Sequence, residues 1–107
     1  MRDRILAIND RPTAPVVIPE WDNMTVYVRV FSGAERLAVT TLLLSEKPSV
    51  AAIVALVACD EKGERIFSDD DVAALEDKNA QALERIALAA WKLNGMTAEA
   101  QGDVKND

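Results

Sequence analysis

Thr25-Val26-Tyr27-Val28-Arg29-Val30-Phe31-Ser32-Gly33-Ala34-Glu35 decides the fold class, because two structural periods meet inside it. Val26, Val28 and Val30 alternate with Thr25, Tyr27 and Arg29, the period of a strand with one buried face. At Ser32 the alternation stops. Ser32-Gly33-Ala34-Glu35 places a hydroxyl three residues ahead of a carboxylate, the reciprocal cap that satisfies free N–H groups in the first turn of a helix. A strand therefore runs directly into a helix, and the rest of the chain is read outward from that junction.

Upstream, Val16-Val17-Ile18 and the polar break Trp21-Asp22-Asn23 complete a hairpin with Trp21 at its tip. Pro15 and Pro19 confine the first run to an edge, since proline cannot donate to the ladder. Residues 1–12 mix charges with Asn9, Asp10 and Pro12 and carry nothing that fixes a structure, so they read as a mobile N-terminal arm, with order beginning near Thr13.

Downstream, Leu37, Thr41 and Leu44 share one face of the helix begun at Ser32, and Val39, Leu42 and Leu43 widen its apolar arc until Pro48 stops it. The run from Val50 to Cys59 leaves helix and strand open: four alanines and Ser49 as a cap favour helix, and the β-branched residues argue for strand. Asp60-Glu61-Lys62-Gly63 is a turn, and Glu64 to Phe67 leave it extended. Ser68-Asp69-Asp70-Asp71 then repeats the cap logic before Val72 and Leu75.

The last helix runs from about Asn79 to Asn94, ends at Gly95 and keeps Lys92 in its final turn, where the dipole favours a cation. Leu83, Ile86, Ala87, Ala90 and Leu93 form its core stripe, with Leu88 and Trp91 off that stripe. Residues 97–107 are polar and read as a disordered C-terminal tail. The prediction is an α+β fold, an N-terminal β-hairpin followed by a small bundle of about four helices, in a single domain over residues 13–96.

Composition narrows the function. With 107 residues, half of them apolar, one modest core forms without a metal or disulfide. Eighteen acids against twelve bases give a net charge of −6, which repels phosphate backbones and anionic membranes, so neither nucleic acid nor membrane is expected as a partner. The longest apolar run is about half of the roughly 20 residues a bilayer needs, and the first ten residues carry too short an apolar stretch for a signal-peptide core. Cys59 is the only cysteine, so no disulfide forms within the chain and a reducing cytoplasm fits; it reads as a packing residue.

Chemistry is sparse. The chain contains no histidine, which removes imidazole catalysis and histidine-ligated metals. The acids sit at turns and helix starts, where capping explains them, and the residues after Gly63 do not continue a calcium loop. Gly33, Gly63, Gly95 and Gly102 are too far apart to cradle a phosphate. No catalytic, cofactor-binding or metal-binding residue is assigned, and no cofactor is expected. What remains is apolar surface, and Trp21, Leu88 and Trp91 are the candidate partner-binding residues, because large aromatics anchor interfaces.

The order of these segments resembles the tail assembly chaperones of long-tailed, siphovirus-type bacteriophages. The strand from Trp21 to Val30 leads into Ser32-Gly33-Ala34-Glu35-Arg36. An apolar run ends in Val57-Ala58-Cys59-Asp60-Glu61-Lys62-Gly63, and Arg65-Ile66-Phe67-Ser68-Asp69-Asp70-Asp71-Val72-Ala73-Ala74-Leu75 follows. Ala82-Leu83-Glu84-Arg85-Ile86 then leads to Lys92-Leu93-Asn94-Gly95-Met96. The chain departs from the family in the more apolar Leu42-Leu43-Leu44 and the short segment before Ser49.

The resemblance implies a non-enzymatic protein of the host bacterial cytoplasm that binds and solubilises the tape measure protein and is absent from the mature virion. It further implies a longer frameshift product whose extension meets the tail tube protein, and it is compatible with a homo-oligomer. The competing readings are a small acidic regulatory or antitoxin-like binding module, which would hold one tight partner, and an acidic mimic of DNA, which would need a regular row of carboxylates.

Overall fold

The computed structural model describes residues 1–96; the tail expected over 97–107 lies outside them. Two antiparallel strands, β1 (Thr13–Ile18) and β2 (Met24–Arg29), form the hairpin, in a register that sets Val16 opposite Val26 and Ile18 opposite Met24. A 3₁₀ turn over Pro19–Trp21 leads to Asp22 and Asn23, both left-handed at φ 54° and 58°. Asp and Asn tolerate that region better than other residues with a Cβ, which is why the polar break falls there. Ile18, Val26 and Val28 are buried, so the alternation read from the sequence is the alternation of one covered face.

Five α-helices accompany the hairpin among the described residues: α1 (Arg2–Ala7), α2 (Gly33–Leu43), α3 (Val50–Val57), α4 (Val72–Glu76) and α5 (Ala80–Leu93). The last four make the bundle, and the α+β prediction holds. The helix α1 stands within the arm expected to lack fixed structure, and none of its residues is buried. The arm is tied down only at its root, where Val30 N–H donates to the Pro12 carbonyl at 3.1 Å and Arg11 Nε donates to the Val30 carbonyl at 3.0 Å.

Packing radiates from α3 and α5. Five of the eight residues of α3 are buried, and α3 packs against α5, α4 and α2. The inner stripe of α5 is Ala82, Leu83, Ile86, Ala87 and Ala90, which lies on α3 and on both strands. Leu93, expected on that stripe, is only partly covered. The small residues Ala55, Ala58, Ala82 and Ala90, all 0% exposed, permit close approach of these elements.

The ambiguous run over residues 50–59 has a mixed answer. Ser49 Oγ accepts from Ala52 N–H at 3.2 Å and starts α3, which ends at Val57. Ala58 is then extended, and Cys59 exchanges backbone hydrogen bonds with Tyr27 at 2.8 and 3.1 Å, so the chain joins β2 for one residue. The alanines serve the helix, and the bridge lies just past its end.

Of the two apolar sets on α2, the one that turns inward contains Val39 and Leu42. Leu37 and Leu44 are 68% and 81% exposed and Thr41 is exposed, whereas Val39 is fully buried and Leu42 packs on the core. Both sets have helical spacing. The choice between them is made by packing against α3.

Cys59 is 3% exposed and its thiol donates to the Tyr27 carbonyl at 3.3 Å. Burial, reinforced by the Asp60 charge, pushes the thiol pKa up, as suits an inert packing residue. The following turn depends on Gly63, whose φ is 86° and whose added Cβ would lie 2.6 Å from Arg29 Nη1. That guanidinium donates to the Gly63 carbonyl at 3.1 Å and to the Arg11 carbonyl at 3.0 Å, so it cannot swing away freely. Gly63→Ala is expected to lower the unfolding free energy by about 1–3 kcal/mol in a urea titration, from left-handed strain and loss of the arginine clamp.

Candidate partner-binding surface

Two apolar grooves each take part of their lining from one segment, Arg65 to Val72. The first, about 330 Å³, is lined by Trp21, Met24, Val26, Ile66, Phe67, Leu75 and Lys78. It forms because the hairpin tip is pinned to α5: Arg85 Nε and Nη2 donate to the two Glu20 carboxylate oxygens at 2.8 and 3.0 Å. Trp21, next to Glu20, is thereby held partly buried against the core. Its neighbours on the groove wall, Met24 and Ile66, are 59% and 44% exposed.

Hydrogen bonding from Arg85 holds the Glu20 carboxyl below its ordinary pKa of 4.5. The contribution of this pair to stability is therefore complete above the unfolded-state pKa and lost as pH falls through the lower folded-state value. In acid titrations of wild type and Glu20→Gln, the wild-type advantage is expected near neutrality, shrinks once pH falls below the ordinary carboxylate range, and is gone only below the lower folded-state value. A gap that stays constant on acidification would show that it does not come from the ionised pair.

The second groove, about 600 Å³, runs between Ala34, Leu37, Ala38, Thr41 and Leu42 of α2 and Ala52 and Leu56 of α3, with Arg65, Asp69 and Val72 closing one side. Leu37 and Thr41, exposed on α2, form part of its wall. Arg65 fixes that side by donating from Nε and Nη2 to the Ala55 carbonyl at 3.1 and 2.8 Å, and Nη2 also meets Asp69 Oδ1 at 3.3 Å. The acceptor belongs to the last turn of α3, so Arg65 caps a helix end whose carbonyls have no partner within the helix.

The three residues singled out by sequence are placed differently. Trp21 lines the first groove, whose walls include neither Leu88 nor Trp91. Leu88 is 54% exposed on α5, and Trp91, one turn later, is half-buried against the core. Met24, Ile66, Phe67 and Leu37 were not singled out. The exposed apolar side of a hairpin tip was the available signal for Met24; the others depend on contacts between distant segments.

Among the described residues, no three of His, Cys, Asp and Glu come together in a way that could hold a metal ion. Of the acids at 69–71, Asp69 meets Arg65, and Asp71 Oδ2 accepts from Ser68 N–H at 2.8 Å. No described helix is long and apolar enough to cross a membrane.

A hairpin laid on a small helical bundle, with open apolar grooves among the described residues and a net charge of −6, defines a small α+β protein. No family model matches this sequence, and no curated protein matches it. Among solved structures, the fold is similar to the tail assembly chaperone of bacteriophage HK97, with a TM-score of 0.64 at 20% identity, over 86% of this chain and 91% of that one. The family resemblance read from the sequence thus has a counterpart in three dimensions.

Proposed function

We propose that this chain is a non-enzymatic tail assembly chaperone that binds the tape measure protein of a long-tailed phage, keeps it soluble in the host bacterial cytoplasm, and leaves before the virion is complete. The observation that carries this reading is the fold shared with the HK97 tail assembly chaperone across nearly the whole of both chains. The surface supports it. A long helical protein exposes apolar stripes that aggregate, and an acidic partner of net charge −6 with open apolar grooves covers such stripes while remaining soluble.

In this reading Trp21, Leu88 and Trp91 contact the partner, and a frameshift extension beyond the present chain would meet the tail tube protein. The test is co-expression with a candidate tape measure protein. The chaperone reading predicts that the tape measure protein becomes soluble and co-purifies with this chain, and that Leu88→Asp, at an exposed position, reduces the yield of complex. A tape measure protein that stays insoluble to the same degree with and without this chain would overturn it.

A further inference from the structure

Lys78 is the only charged residue in the lining of the Trp21 groove, and every other residue of that wall is apolar. Among the described residues no carboxylate lies within ion-pair distance of its ammonium, whereas Arg2, Arg11, Arg65 and Arg85 each hold one. The backbone N–H of Lys78 donates to the Leu75 carbonyl at 2.9 Å, which fixes the root of the side chain just past the end of α4. The residue is exposed, so solvent hydrates the ammonium while the groove stands open.

That hydration is reduced when an apolar occupant closes the groove. Taking an unpaired ammonium out of water is costly, and the cost is offset when the occupant brings a carboxylate to hydrogen-bond distance. A cation of the occupant in the same place adds repulsion instead. The wall therefore divides its work: Trp21, Ile66, Phe67 and Leu75 supply apolar contact, and Lys78 selects by charge.

The larger groove sets no such preference. Its lining carries both Arg65 and Asp69, which meet at 3.3 Å, and Arg65 also donates to the Ala55 carbonyl, so its charges are answered within the chain. The net charge of −6 disfavours an acidic occupant at long range. At physiological salt the Debye length is about 8 Å, so a carboxylate seated in the Trp21 groove responds mainly to the charge in its lining. At about 330 Å³ that groove admits a few large side chains rather than a whole helix. A helix reaches it by presenting apolar side chains one turn apart.

We propose that the Trp21 groove takes an amphipathic helix of a partner chain through two apolar side chains one turn apart, and that Lys78 selects helices with an Asp or Glu beside them. The proposal rests on the chaperone reading for the helical form of the partner and adds the charge that the partner segment carries. Its test needs no tape measure protein.

The probes are three blocked, alanine-rich helical peptides of roughly 18 residues, long enough to hold a helix in water. Each carries two leucines one turn apart, and they differ only in having Glu, Gln or Lys beside the leucines. Each is titrated to about 1 mM into the full chain at physiological salt, and the Trp21 indole and the Ile66, Phe67 and Lys78 amides are followed by NMR. The Glu peptide is expected to move these signals and to bind about fivefold or more tightly than the Lys peptide, with the Gln peptide between. Lys78→Gln should erase the preference and Lys78→Glu should reverse it; both changes fall at an exposed position, and circular dichroism checks the fold. No shift with any peptide, equal affinity for all three, or a preference that survives Lys78→Glu would each overturn the proposal. So would the same signals moving as the chain alone is concentrated, or with a peptide of residues 97–107, which would give the groove to a second copy or to the chain itself. A tape measure protein solubilised on co-expression while the peptides fail would strike this assignment alone; charge-selective peptide binding beside a failed co-expression would strike the chaperone reading alone.

Discussion

Ile86→Ala is expected to lower the unfolding free energy by about 3–4 kcal/mol. Ile86 is 0% exposed and lies at the middle of the α5 stripe, where that helix meets α3 and both strands of the hairpin. Truncating a buried Ile removes its transfer free energy and leaves a cavity that the surroundings fill only in part, which together cost about 2–5 kcal/mol. The upper half of that range applies because the neighbouring Ala82, Ala87 and Ala90 have no side chain long enough to move in. A domain of this size has about 5–15 kcal/mol in all, so urea denaturation should show a much earlier midpoint with an unchanged slope. Leu88→Ala, on the exposed side of the same helix, should stay within about 0.5 kcal/mol of wild type.

Asn94→Ala is expected to cost about 2–3 kcal/mol, a large effect for a residue at a helix end. Its Nδ2 donates to the Ala90 carbonyl at 2.9 Å and to the Arg29 carbonyl at 3.3 Å, and its Oδ1 accepts from Phe31 N–H at 2.8 Å. One side chain thus closes the last turn of α5 and grips the chain where β2 gives way to α2. Alanine leaves a partly buried N–H and a strand-end carbonyl without these partners, at a cost of about 1 kcal/mol or more each. Hydrogen exchange separates this clamp from a general loss of stability: the Phe31 amide should exchange faster than the global stability change accounts for. Asn94→Asp should not rescue, because it keeps the acceptor for Phe31 but turns a carboxylate oxygen toward two carbonyls.

The parts of the fold legible in the sequence are those fixed by near neighbours. The capping box at Ser32 and Glu35 is present on both sides, with Glu35 N–H donating to Ser32 Oγ at 3.1 Å and Ser32 N–H to Glu35 Oε1 at 3.0 Å. The second cap, at Ser68 and Asp71, and the ends of α5 at Asn79 and Asn94 follow the same local rules. Hairpin alternation was readable because a period of two admits one inward set.

Elements that depend on distant segments were not readable. The inward face of α2 is chosen by contacts with α3, and a helix with Leu42-Leu43-Leu44 offers apolar residues on nearly every side. The run at 50–59 changes from helix to bridge because Cys59 meets Tyr27, thirty-two residues away. The helix α1, six residues long, is too short for a helical period to register.

The candidate surface divides in the same way. Leu88 and Trp91 stand off the α5 stripe and could be read from spacing, and Trp21 could be read as an aromatic at a hairpin tip. The groove beside Trp21 could not, since Ile66, Phe67 and Leu75 reach it only after Arg65 is bonded to the end of α3 and Glu20 is bonded to Arg85. Nor could the larger groove, which forms between α2 and α3 and takes in Arg65, Asp69 and Val72 from a distant segment.

The most direct test of the chaperone reading is the mass of the complex with a tape measure protein, measured by native mass spectrometry after co-expression. The account predicts several copies of this chain on each tape measure protein, since a long helical partner offers its apolar stripe repeatedly along its length. A strict one-to-one complex, or a tape measure protein that carries no copy at all, would contradict it and favour a regulatory module with a single partner.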